Sequence, residues 1–244
     1  MSNKKFALIT GGSKRIGAAI CRRLHKSGID IMIHYRHSKD EAIAIQKELN
    51  EIRKDSIFLV KADLLDPGSY SFIISEMINI FGSMDYLVNN ASSFYPTRIG
   101  EITLTQWEDL ISTNLKAPLF LSQAAALHLL KSNGAIVNIT DAHIENSKQN
   151  YVVYSIAKSG LSALTKSLAN ELGPHIRVNA VAPGAIVWPD DIHEFSNEYR
   201  NHIINQSVLK RIGDPDDIAK AVEFLLLNAP FVTGETINVD GGSW

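Results

Sequence analysis

A chain of 244 residues, 45% of them apolar, is long enough to bury the core of one large α/β domain without disulfides or structural metals. Its 24 Lys and Arg against 26 Asp and Glu leave a formal charge of -2, which gives no electrostatic basis for nucleic acid or an anionic membrane as a partner. The lone cysteine, Cys21, excludes an intrachain disulfide framework and reads as a small core residue, and no apolar run approaches the roughly 18 residues of a membrane span, so a cytoplasmic protein is expected.

In chain order, residues 6–10 predict a first strand, after Lys4-Lys5. That apolar run stops at Thr10-Gly11-Gly12, too early for a signal peptide. Apolar residues three and four apart then predict a helix over 16–27, followed by a strand over 30–35, a helix over 39–51, a strand over 56–61, a helix over 69–80 and a strand over 86–89. A long helical segment, 105–128, contains Pro118, where a kink or boundary is expected. Strands over 135–139, 177–181 and 236–239 and helices over 153–172 and 215–227 complete the series. Continuous apolar strands alternating with helices predict a doubly wound α/β fold, a seven-stranded parallel sheet with helices on both faces, in one domain over 1–244. Residues 185–208 resolve to neither type; they follow Pro183-Gly184, hold Trp188, and are expected to form a substrate lid.

Several groups carry chemistry. Gly11, Gly12 and Gly17 lie between a strand and a helix, where glycines let backbone approach a pyrophosphate and the helix offers free N–H groups; simple turn punctuation is the plainer alternative. The end of the second strand reads His34-Tyr35-Arg36-His37-Ser38, with no acidic residue to bind the adenosine ribose of NAD. Arg36 offers a planar fork for the extra phosphate of NADP, and Lys14 and Arg15, in the glycine turn, can approach the same charge. Tyr154 and Lys158, four apart on a helix, share a face. A nearby ammonium lowers a phenol's pKa, so Tyr154 reads as a proton donor. Tyr151 has Ser155 at that spacing and reads as a substrate wall or a packing residue. Asp141 follows a strand and can cap the next turn, yet a carboxylate accepts hydrogen bonds, which suits a substrate rich in ring N–H groups. His143 and Glu145 beside it do not make a metal site, and no metal is expected.

The segment Thr10-Gly11-Gly12-Ser13-Lys14-Arg15-Ile16-Gly17 with Asn89-Asn90-Ala91, Asn114, Tyr154-x-x-x-Lys158, Pro183-Gly184 and Asp240-Gly241-Gly242, in that order, resembles the short-chain dehydrogenase/reductases over nearly the whole chain. Arg15 replaces the middle glycine of that family's turn, and Asp141 stands where most members place a serine. Lys14-Arg15-Ile16-Gly17, His34-Tyr35, Asp141 and Asn89-Asn90-Ala91-Ser92-Ser93-Phe94-Tyr95-Pro96-Thr97 together resemble the pteridine reductases.

The resemblance implies a Rossmann fold and NADPH/NADP+ as cofactor. The implied cofactor contacts are Gly11, Lys14, Arg15 and Ile16 in the turn; His34, Tyr35, Arg36, His37 and Ser38 after the second strand; Asp63 and Leu64; Asn90, Ala91 and Ser92; Tyr154 and Lys158; and Pro183 with Gly184. Pteridine reductases carry their phosphate-binding arginine one place later, at His37, so the grip falls to Arg36 or His37. Asp63 either contacts the adenine or simply forms a turn. The implied catalytic set is Asp141, Tyr154, Lys158 and Asn114, with Lys158 on the ribose hydroxyls and Asn114 supporting a proton-relay water network. Arg15, Ser92, Phe94, Asp141, Tyr154 and Trp188 would face the substrate, with Phe94 stacked on a pterin unless it is merely a core aromatic. A homotetramer is implied. Some relatives continue past the matching Asp-Gly-Gly and can lend a basic residue to a neighbour's pocket; with Trp244 at this position, that contact is left open. The leading function is NADPH-dependent reduction of a dihydropterin or dihydrofolate. A carbonyl reductase, such as an oxoacyl-thioester reductase, is the runner-up and would ordinarily want serine at 141. A non-catalytic NADP-binding regulator is the third.

Overall fold

The continuous apolar runs become strands covered on both faces. The computed structural model describes residues 4–144, 149–187 and 197–243. Among these, β1 (Phe6–Ile9), β2 (Asp30–Tyr35), β3 (Ile57–Lys61), β4 (Tyr86–Asn89), β5 (Ala135–Ile139), β6 (Arg177–Pro183) and β7 (Thr236–Val239) form one parallel sheet in the order β3-β2-β1-β4-β5-β6-β7. Successive side chains feed opposite layers, as the two-residue strand period requires. Ile31, Ile33 and Val137 pack with Ile20, Leu24 and Val222 on one face, while Met32 and Ile136 pack with Ile73, Met77 and Leu121 on the other. Every residue of β2 and β5 is buried, which is why neither strand alternates in polarity.

The covering helices are α1 (Arg15–Lys26), α2 (Lys39–Ile52), α3 (Gly68–Phe81), α4 (Leu104–Ile111), α5 (Ala117–Ser132), α6 (Val152–Leu172), α7 (Asn197–Gln206) and α8 (Pro215–Glu223). The long segment expected over 105–128 is divided by a π-helical turn, Ser112–Lys116. Pro118 sits in the first turn of α5, where its missing N–H costs least, and marks the boundary. A second π turn, Phe224–Asn228, ends the helix predicted over 215–227. β6 runs two residues past its expected end because Ala182 and Pro183 pair with Asn238 and Val239. Within 185–208 the structure contains α7, which the sequence reading missed because NEYRNHIINQ has few apolar residues to set a helical period. Trp188 and the rest of 188–196 lie outside the described residues, as does Glu145. Among the described residues no helix is long and apolar enough to cross a membrane.

β1 and β4 are neighbours whose outgoing connections turn to opposite faces, and open α/β sheets bind ligands in the crevice this creates beyond the strand ends. The glycine turn leaves β1 and the Asn89 to Thr97 loop leaves β4, so both open onto that crevice.

Candidate active site

The two loops are stitched together by polar groups. Thr10 Oγ1 accepts the backbone N–H groups of Asn90 and Ala91, both at 3.0 Å, and Asn90 Nδ2 donates to the carbonyls of Thr10 and Gly11, both at 2.9 Å. Gly11 has φ +60, and a Cβ on it would lie 2.9 Å from Ala91 Cα. A Cβ on Gly17 would lie 2.2 Å from the Gly11 carbonyl oxygen, so helix and turn approach closely enough to require glycine. His34, buried in β2, accepts the Gly11 N–H at Nδ1 (3.3 Å) and faces the Ala62 carbonyl with Nε2 (3.2 Å). These partners assign the Nε2–H tautomer, and burial pushes the imidazole pKa down to about 4, so the ring stays neutral and holds the turn to β2.

This frame fits a dinucleotide. A cleft of about 1060 Å³ runs past the glycine turn, the end of β2 and the faces of Tyr154 and Lys158. It is lined by Gly11, Lys14, Arg15, Ile16, His34, Tyr35, Arg36, His37, Ser38, Asp63, Leu64, Asn90, Ala91, Ser92, Phe94, Asp141, Pro183 and Gly184 as well. The N-terminus of α1 has no side-chain cap and no acidic residue in its first turn, as an anion-receiving helix end should. Arg15 takes φ +49, a left-handed conformation that costs a non-glycine residue about 1–2 kcal/mol, and it places a guanidinium where a glycine would leave none. Lys14 pairs with Glu41 at 2.6 Å on the surface. Arg36 pairs with Asp63 at 3.0 Å and lies 3.8 Å from Asp109, yet its Nε is buried without a hydrogen-bond partner, a donor left for a ligand oxygen. Asp63 also accepts the Leu65 N–H at 3.0 Å, as a turn-forming aspartate does, and lines the cleft as well. His37 is exposed at the same rim.

The reaction end is built by β5, α6 and the loop after β4. Asn89 Nδ2 donates to Asn138 Oδ1 (2.8 Å) and Asn138 Nδ2 to Thr165 Oγ1 (2.9 Å), a buried chain that fixes α6 against β4 and β5. Thr97 Oγ1 accepts the Val153 N–H at 3.3 Å, docking the loop on the start of α6. Phe94, 43% exposed, stacks on Tyr151 (4.7 Å between ring centroids) and meets Tyr154 edge-on (4.8 Å). It is therefore not a core aromatic, and the buried Tyr151 packs behind it. Asn114, in the π turn, is wholly buried and accepts Ser92 Oγ–H at 2.6 Å while donating to the carbonyls of Ser93 and Leu110. It anchors the loop from behind.

Tyr154 Oη donates to Asp141 Oδ2 at 2.7 Å, and Asp141 Oδ1 accepts the His143 N–H at 2.8 Å, so Asp141 caps its turn and holds the phenol at once. Lys158 is buried, donates to the Ile139 carbonyl at 2.8 Å and lies 5.8 Å from the centre of the Tyr154 ring. One expectation is overturned here. The Tyr154 pKa is not lowered but raised well above its ordinary value, first by burial and then by the charge and hydrogen bond of Asp141. Burial also brings Lys158 down to about 8, against the opposing pull of Asp141. The spacing of Tyr154 and Lys158 announced an ammonium beside a phenol; it could not announce a carboxylate closer still. Thr10, Asn138, Thr165 and Asp109 were missed because each acts through a partner distant in sequence.

Residues 11–243 match a family model described as enoyl-(acyl carrier protein) reductase. The chain belongs to the short-chain dehydrogenase/reductase family. As a member it is an oxidoreductase, and the basic end of β2, with Arg36 and no acidic residue, fits NADPH as its cofactor. It is similar to the 3-oxoacyl-(acyl-carrier-protein) reductase FabG of Staphylococcus aureus, 36% identical with the whole of both chains covered. An uncharacterized oxidoreductase of Methylorubrum extorquens is also 36% identical, over 98% of this chain and 97% of that protein. Pteridine reductase 1 of Leishmania tarentolae is 32% identical, over 97% of this chain and 95% of that protein. By overall identity the comparisons thus favour the oxoacyl reductases, the runner-up of the sequence reading, over the pteridine reductase that leads it.

Proposed function

We propose that the protein is a pteridine reductase that reduces a C=N bond of a dihydropterin, dihydrofolate included. The observation that carries this reading is the 2.7 Å hydrogen bond from Tyr154 to the carboxylate of Asp141. A ketone or oxoacyl carbonyl becomes an alkoxide on reduction and needs donors around its oxygen. A carboxylate about 4 Å from that oxygen would oppose the charge by about 4 kcal/mol at an effective dielectric of 20, close to a thousandfold in rate. A pterin edge presents N–H groups, and there an acceptor is the fitting partner.

Phe94 supplies a flat aromatic wall for the ring, and Ser92, held by Asn114, lies beside it. NADPH held in the cleft would supply the hydride for the carbon of the C=N bond. The nitrogen takes a proton from the Asp141 and Tyr154 pair. The raised phenol pKa keeps Tyr154 protonated at neutral pH, so the pair holds a proton to give. Lys158, fixed by the Ile139 carbonyl, would hold the cofactor's ribose, and Arg36 or His37 its phosphate. Ala185, Val187, His202 and Gln206, in the described parts of 185–208, line the cleft and would form a lid on its substrate side, and a homotetramer would be the assembled form.

A 3-oxoacyl-thioester reductase is the second reading, favoured by the 36% identity to FabG. NADPH oxidation measured against dihydrobiopterin, dihydrofolate, an acetoacetyl thioester and a simple ketone separates the two. Turnover of a pterin with little or none of the thioester is expected. Efficient reduction of the thioester and no reduction of any pterin would overturn the proposal.

A further inference from the structure

Arg36, the residue best placed to grip the 2′-phosphate, is held by two carboxylates. Asp63 pairs with Nη2 at 3.0 Å, and Asp109 of α4 lies 3.8 Å from Nη1. The other oxygen of Asp109 accepts the hydroxyl of Tyr95 at 3.0 Å, a hydroxyl that also lies 3.3 Å from the Gln106 carbonyl, and Tyr95 adjoins Phe94 in the loop after β4. Burial and the Asp109 contact push the Tyr95 phenol up to about 12, so it remains a donor across the working pH range. A buried Nε without a partner shows that the carboxylates leave the guanidinium fork incompletely used.

We propose that Asp109, with Asp63, stands in for the 2′-phosphate on Arg36, and that phosphate binding frees Asp109 from Arg36, leaving its carboxylate to the Tyr95 hydroxyl it already accepts and tightening the loop that carries Phe94. A phosphate monoester bears more charge and more acceptor oxygens than a carboxylate, so it displaces Asp109. Freed of Arg36, the Asp109 carboxylate keeps the Tyr95 hydroxyl as its hydrogen-bond donor. Cofactor type is thereby sensed at the substrate wall. The inference rests on the use of NADPH and is independent of the pterin assignment.

The test uses the full chain without any substrate. Calorimetric affinities for 2′,5′-ADP and 5′-AMP, which differ by the 2′-phosphate, are measured for the parent, Asp109→Asn, Tyr95→Phe and the double variant. Asp109→Asn is expected to bind 2′,5′-ADP about two- to fivefold more tightly, the range of a half-exposed ion pair, with 5′-AMP unchanged. Tyr95→Phe leaves Asp109 wholly to Arg36 and is expected to weaken 2′,5′-ADP, but to have no effect in the Asp109→Asn background. Hydrogen exchange of the peptide covering 92–97 should slow more with 2′,5′-ADP than with 5′-AMP in the parent, and equally with both in Tyr95→Phe. Unchanged or weaker 2′,5′-ADP binding by Asp109→Asn, equal changes for both nucleotides, or a Tyr95→Phe effect that persists in the double variant would overturn the proposal.

Discussion

At the scale of single residues, the exchange of serine for Asp141 decides the character of the site, because the carboxylate and the Tyr154 phenol are one hydrogen-bonded unit. An anionic neighbour disfavours phenolate, so removing the charge lowers the phenol pKa. Asp141→Asn keeps the side-chain shape, and ultraviolet titration should show a tyrosine ionising at lower pH than in the parent, with the alkaline limb of activity following it. Pterin turnover should fall by roughly a hundredfold with NADPH affinity kept. An unchanged titration would mean that Asp141 does not hold the phenol. Lys158 makes the opposite case, a group whose charge burial disfavours, with its pKa brought from 10.5 to about 8. The folded state then binds fewer protons than the unfolded one between those values, so stability rises with pH through that window and the penalty is fully present below pH 8. Its size is of the order of 3 kcal/mol. Lys158→Met should lose turnover while its urea midpoint at pH 7 stays equal to or above the parent's, and its stability should no longer climb between pH 8 and 10.5. A large loss of stability at pH 7 would contradict this.

At the scale of elements, the junction of β1 and α1 is set by close backbone approach. Gly17→Ala would drive a Cβ to 2.2 Å from the Gly11 carbonyl oxygen and 2.6 Å from Asn90 Nδ2, atoms that are backbone or pinned by hydrogen bonds. Gly160, inside α6, meets the tip of Leu115 at 2.7 Å, and a leucine rotamer can give way. Gly160→Ala also gains up to about 1 kcal/mol of helix propensity. Thermal melts and NADPH titrations should show Gly17→Ala losing both stability and cofactor binding, with Gly160→Ala near or above the parent in stability. Comparable losses in the two would show that the turn is less tightly packed than these distances state. The π turn before α5 and the helix α7 belong to the same scale: Pro118 marked the first in advance, whereas α7 lacks the apolar period that would have announced it.

At the scale of the molecule, apolar side chains stand exposed on the outer helices. Phe120 and Leu127 lie seven apart on α5, on one face, and Val152 and Ile156 lie four apart on α6. Such strips suit burial between copies in the proposed tetramer. Sedimentation should give a mass near four times the 26.9 kDa of the chain, and Leu127→Glu, at a side chain 70% exposed, should shift it downward without unfolding the protein. A parent that sediments as a monomer would remove the assembly from the proposal.

The parallel sheet, the glycine turn and the Tyr154 with Lys158 pair were legible because they rest on local patterns: continuous apolar runs, Gly11 and Gly17 between strand and helix, and a four-residue helical spacing. Asp141 was legible as a residue type at a known interval from Tyr154. Its effect was not, since the direction of the Tyr154 shift depends on burial and on which charge lies nearer, both properties of the packed site. The engagement of Arg36 by Asp63 and Asp109, the tautomer of His34 and the chain from Asn89 to Thr165 likewise arose only with the fold. Each joins groups far apart in sequence, and hydrogen bonds and Coulomb forces act over distances that the order of residues does not contain.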